Sequence, residues 1–87
     1  MADYRLSRKA EADLAAIADY SLQVFGIQRA RSYRDDLLKA FAHIASNPNL
    51  GTYYGHIAPD TRRFVTGSHV IYYRMLPDGL LIRRILH

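Results

Sequence analysis

The spacing of apolar residues changes twice along this chain and divides it into three parts. Asp3-Tyr4-Arg5-Leu6 alternates, which predicts a short strand. From Ala10 the apolar positions then fall three or four apart. Ala10, Leu14, Ile17, Ser21 and Val24 make one helical stripe, with Phe25 beside the last. Ser7 precedes this stretch and suits an N-cap, because its hydroxyl can accept from an orphan backbone N–H. Gly26 is expected to end the helix as a left-handed residue. Asp13 and Asp19 fall mainly off the stripe.

A second stripe begins near Ile27 or Gln28. Ala30, Tyr33, Leu37, Phe41 and Ile44 share it, widened by Leu38 and Ala45, while Arg29, Arg31, Arg34, Asp35 and Lys39 lie largely outside it. Asn47-Pro48 stops this helix, since proline disfavours helical backbone at the residue before it. Two amphipathic helices joined so closely must fold back as an antiparallel hairpin. Their common apolar face then requires a sheet to cover it.

Residues 48–61 read as a loop, with a single turn around Tyr53. The period then becomes two. Arg63 to Thr66, His69 to Met75 and Leu80 to His87 are predicted strands, joined by turns at Gly67-Ser68 and Pro77-Asp78-Gly79. The whole is one α+β domain over residues 1–87: an N-terminal strand, an antiparallel helical hairpin and a C-terminal three-stranded antiparallel meander. Strict alternation puts Ile71, Tyr73 and Met75 on one face of the central strand, and Val70, Tyr72 and Arg74 on the other. In the last strand it groups Ile82 with Arg84 and Leu86, against Leu81, Arg83, Ile85 and His87. Neither face is purely polar, as the solvent side of a half-covered sheet should be. Either the second face meets a partner chain, or its side chains pair with one another across the strands in the open.

Composition narrows the function classes. No apolar run approaches the roughly 20 residues of a membrane span, and the N-terminus lacks the apolar core of a signal peptide. There is no cysteine, which fits a cytoplasmic protein. The net charge of +4 rests on ten arginines against two lysines. Arginine suits forked contacts to carboxylate or phosphate, so an acidic protein or a nucleic acid is the implied partner class. His43, His56, His69 and His87 share no metal-ligand spacing, so neither a metal nor a cofactor is expected. His43 reads as a surface residue. Phosphate-loop and serine-nucleophile motifs are absent.

One constellation remains in the C-terminal part: Arg62, Arg63, Arg74, Arg83, Arg84 and His87. Metal-free RNA cleavage needs a base, cations for the phosphate and an acid for the leaving oxygen. His87, Tyr73 or Tyr72, and Arg63, Arg74 or Arg84 suit some of these roles. No obvious base stands nearby, for the one glutamate, Glu11, is in the first helix. The same arginines are equally suited to carboxylates on a partner protein.

The order and spacing of these residues resemble the ParE toxins, a branch of the RelE/ParE toxin superfamily. The resemblance is carried by Tyr4, Leu6, Ser7, Ala10, Asp13, Leu14, Ile17, Tyr20 and Gly26, then by Ala30, Tyr33, Leu37 and Phe41. It continues through Asn47-Pro48, Gly51 and Arg63 to Val70-Ile71-Tyr72-Tyr73-Arg74, Asp78-Gly79 and Arg84-Ile85-Leu86-His87. It implies a toxin of a bacterial type II toxin–antitoxin pair that traps DNA gyrase and is neutralised by a ParD-like antitoxin. Operator DNA is then met only through the antitoxin. For gyrase the expected contacts are Arg62, Arg63, Arg83 and Arg84. For the antitoxin they are Tyr20, Val70, Tyr72 and Arg74, with Tyr33 and Phe25 expected in the core instead. The RelE branch cuts ribosome-bound messenger RNA; here that alternative falls to His87, Tyr73 and Arg84. This chain lacks the lysine-rich sheet of that branch. A third reading is a diverged member that serves only as antitoxin partner or co-repressor.

Overall fold

A computed structural model describes residues 3–87. The elements run β1 (Tyr4–Leu6), α1 (Arg8–Phe25), α2 (Ile27–Ser46), β2 (Thr52–Tyr53), β3 (Arg62–Thr66), β4 (His69–Leu76) and β5 (Gly79–Leu86). The predicted meander is present as β3, β4 and β5, but it belongs to a larger mixed sheet. Five strands lie in the order β1-β5-β4-β3-β2. Two additions make the difference. β1 pairs parallel with β5, through Tyr4↔Leu80 and Leu6↔Ile82. Thr52 and Tyr53 pair with Arg63 and Arg62. Tyr53 is therefore in a strand, and the turn expected around it comes earlier, as a 3₁₀ turn at Pro48–Leu50. A two-residue strand is too short to show a period, which is why it reads as loop.

Ser7 caps α1 as predicted, its Oγ accepting from Ala10 N–H at 3.0 Å. Gly26 does two jobs. Its N–H donates to Leu22 O at 3.1 Å, and its own carbonyl accepts from Ala30 N–H at 3.1 Å. One residue thus closes α1 and opens α2. Its φ of 86° is positive, but its ψ of 173° is extended, not the left-handed helical value expected. That region is essentially restricted to glycine.

The helical hairpin covers one face of the sheet. Ala10, Leu37, Phe41, Ile44 and Ala45 from the helices bury against Ile71, Tyr73, Leu80, Ile82 and Ile85. The α2 stripe is buried as predicted from Leu37 onward. The α1 stripe ends earlier than predicted. Ser21 is its last buried residue, whereas Val24 and Phe25 are each 52% exposed, so Phe25 is not in the core. Past Ser21 the helix has run beyond the part of the hairpin that the sheet covers.

The last strand departs from strict alternation. Tyr72 pairs with Arg84, yet the next residue, Tyr73, pairs with Ile82. Arg83 is the extra residue of a β-bulge. Ile82 and Ile85, three apart, are consequently both buried. The grouping of Ile82 with Arg84 and Leu86 is thus corrected: the bulge moves Ile85 to the core face and relieves the mixed pattern seen in the sequence.

Candidate functional site

The candidate residues do not gather at one place. On the face of β4 turned away from the helices, Val70, Tyr72 and Arg74 alternate with buried Ile71 and Tyr73. Tyr54 folds over this face from the loop, with its ring 5.6 Å from that of Tyr72. Arg63 stacks over the same Tyr54 ring at 5.5 Å, a cation–π contact. Arg83 is exposed on the bulge. Arg62 pairs with Tyr73 and is half buried, its Nη1 donating to Gly51 O at 2.7 Å. The four predicted target-facing arginines therefore do not share one face. Tyr54 was missed in the sequence because an aromatic residue in a glycine-rich loop carries no periodicity.

Arg84 is tied down. It grips Asp13 through two bonds, Nε to Oδ2 at 2.8 Å and Nη2 to Oδ1 at 3.0 Å. Asp13 Oδ2 also accepts from Ile85 N–H at 2.9 Å. β1 reaches only as far as Ile82, so the following part of the β5 edge needs other partners. Ser7 and Asp13 supply them: Ser7 N–H donates to Ile82 O at 2.9 Å and Ser7 Oγ to Arg83 O at 2.8 Å. The bond from Arg84 holds the Asp13 carboxyl below its ordinary range, against the opposing effect of burial. Asp13 was passed over as an off-stripe residue. Its spacing, three from Ala10 and four from Ile17, does place it at the margin of the stripe.

Tyr73 is fully buried. Its hydroxyl donates to Pro48 O at 2.7 Å and accepts from Gly51 N–H at 2.9 Å. Burial pushes this phenol above its ordinary range. A Cβ on Gly51 would run into the Tyr73 hydroxyl, so that position requires glycine for close approach. Tyr73 is thus a structural post that fastens the 48–51 turn to the sheet.

A cleft of about 860 Å³ opens at the far end of the molecule. Ile17, Tyr20 and Phe25 line one side, and Tyr33, His69 and His87 another. Tyr20 is 62% exposed here, and Val70, Tyr72 and Arg74 are not among the residues lining this cleft. The Tyr33 hydroxyl is hydrogen-bonded to His69 Nδ1. His69 and His87 stand edge to face, with ring centroids 5.4 Å apart. Burial first, and His87 second, lower the His69 pKa from its usual 6.5. Neutral His69 is therefore the folded form's preference; its contribution to stability is complete above about pH 6.5 and is lost as pH falls through the depressed native value. His43 is exposed on α2. Among the described residues, no three His, Cys, Asp or Glu side chains come together to hold a metal. No helix of the described residues is long and apolar enough to cross a membrane.

Comparison with known proteins decides the family. A family model described as the ParE toxin of the type II toxin–antitoxin system parDE matches residues 4–87. This chain is a ParE-family toxin. Toxin ParE1 of Caulobacter vibrioides is 39% identical to it over 87 residues, covering 100% of this chain and 90% of that protein. Toxin ParE1 of Mycobacterium tuberculosis is 34% identical over 85 residues, covering 97% of this chain and 87% of the relative. A chain in the solved structure titled "Chromosomal ParDE TA system from P. aeruginosa" superposes with a TM-score of 0.83 at 24% identity. The match covers 100% of this chain and 96% of that one, and it shows that the two share a fold. The ParE family is thus joined to the sheet and hairpin described above, and the toxin class inferred from residue order holds.

Proposed function

We propose that this ParE-family toxin inhibits DNA gyrase by binding, performs no chemistry of its own, and is neutralised by a ParD-like antitoxin. Family membership supplies the class. The observation that carries the mechanism is that His87, Tyr73 and Arg84 do not converge. Proton transfer requires groups within hydrogen-bond reach of one reacting centre. Here the Tyr73 hydroxyl is committed to Pro48 and Gly51. Arg84 is committed to Asp13. His87 stands beside His69 at the cleft. These commitments count against the set His87, Tyr73 and Arg84 for the messenger-RNA endonuclease reading.

Binding makes different demands, namely accessible anchors and charge. Arg83 and Arg63 are the arginines left for gyrase, since Arg62 is bonded to Gly51 and Arg84 to Asp13. Val70, Tyr72 and Arg74 offer the antitoxin one surface and Tyr20 another. DNA is reached through the antitoxin, and the site of action is the cytoplasm. The deciding experiment is gyrase supercoiling and DNA cleavage with the purified chain, with and without antitoxin. Inhibition with trapped cleavage, relieved by antitoxin, is the expected result. Active gyrase in the presence of folded toxin at micromolar excess would overturn the proposal.

A further inference from the structure

β4 runs beyond its partner. Its pairing with β3 ends at Arg62↔Tyr73, so Arg74, Met75 and Leu76 have no β3 neighbour. The chain after Tyr53 leaves the sheet and returns at Arg62. Between this loop and the end of β4 is a small cleft of about 210 Å³, lined by Tyr53, Asp60, Arg62, Arg74 and Met75. Among the described residues, Arg74 Nε is the one buried side-chain nitrogen or oxygen without a hydrogen-bond partner. A desolvated guanidinium N–H left unbonded is unfavourable, and a shift of the Arg74 side chain that brings it against an acceptor in the cleft would remove that penalty.

We propose that this cleft binds a single carboxylate, carried by an acidic side chain in a partner protein. The charge count favours a monoanion. Two arginines and one aspartate line the cleft, a net charge of +1. Asp60 forms no ion pair with either arginine, since Asp13–Arg84 is the salt bridge found among the described residues. A carboxylate neutralises the site. A phosphate dianion overcharges it and faces Asp60. Arg62 spends Nη1 on Gly51 O and keeps its other N–H donors. Arg74 adds the second planar fork, which suits a carboxylate's two oxygens. Tyr53 and Met75 are exposed apolar walls, so the favoured ligand is a glutamate or aspartate flanked by apolar residues. The source of the carboxylate rests on reading the open sheet face as an antitoxin surface; the chemistry of the cleft does not.

The test is an NMR titration of the arginine Nε–Hε signals of the intact chain. The probes are a blocked leucine–glutamate–leucine tripeptide, its glutamine counterpart and inorganic phosphate, at matched ionic strength. The Arg74 signal is expected to move saturably with the glutamate peptide, not with the glutamine peptide, and less with phosphate. Asp60→Asn keeps both arginines and should tighten the glutamate peptide roughly two- to five-fold, the effect of removing one exposed like charge. Arg74→Lys keeps the charge but loses the fork, and should weaken it. No saturable shift, equal response to the glutamine peptide, tighter binding of phosphate, or an Asp60→Asn affinity unchanged in a folded protein would each overturn the proposal. Neither gyrase nor antitoxin is present, so the result stands apart from the target assignment.

Discussion

Two side chains that look like surface chemistry in the sequence serve as structural joints. Tyr73 has the residue type of a catalytic acid, but its hydroxyl closes a bond pair with Pro48 and Gly51 inside the protein. Tyr73→Phe keeps the ring and strands both backbone groups, so unfolding by denaturant should show a loss of about 1–3 kcal/mol. Asp13 satisfies an otherwise bare strand edge as well as Arg84. Asp13→Asn should cost about 1–2 kcal/mol, as expected for loss of a charge-assisted bond. The pH dependence gives an independent check. A depressed carboxyl pKa contributes stability that is present above the unfolded value, near 3.8, and is lost as pH falls through the lower native value. Acid unfolding curves of the Asn variant should lack that portion of the slope.

At the level of elements, the two helices were legible because their apolar stripes are long, and the meander because turn residues at Gly67-Ser68 and Pro77-Asp78-Gly79 mark its strand ends. The α2 stripe from Leu37 to Ala45 is buried as its spacing demands. Three features were not legible. The bulge at Arg83 breaks the very alternation used to read a strand, and β2 is too short to alternate at all. The parallel pairing of β1 with β5 joins the two ends of the chain and has no local signature. The candidate site suffered most, because the side chains grouped by type, such as Arg62 and Arg63, are divided between faces by a period of two. Gly26 was legible as a boundary but not in its conformation. Gly26→Ala should destabilise by about 1–3 kcal/mol, since Cβ is strained at that backbone geometry. The open space around it excludes a clash as the cause. Thermal melts of this variant beside an alanine substitution at exposed Gln28 would separate strain from any general effect on helix.

For the whole molecule, the residues proposed for the antitoxin fall in two places. Tyr20 lines the cleft near the Gly26 turn that joins the two helices, while Tyr72 lies on the uncovered sheet face. Effects at distant sites without shared partners add. Tyr20→Ala and Tyr72→Ala should therefore each weaken antitoxin binding, and the double variant should lose the sum within about 0.5 kcal/mol. Calorimetric titration checks this directly; marked non-additivity would mean that one continuous contact spans both residues.

The parallel seam between β1 and β5 also sets a timetable. Ser7 and Arg83, bonded across it, are separated by 76 positions in the chain. Contacts of such long range cannot form until β5 has left the ribosome. During synthesis the helical hairpin can assemble early, but its apolar face waits for the last strand. The sheet that a partner would recognise is thus completed only once β5 has emerged, and a ribosome stalled before β5 holds a chain whose hairpin lacks the cover of Leu80, Ile82 and Ile85.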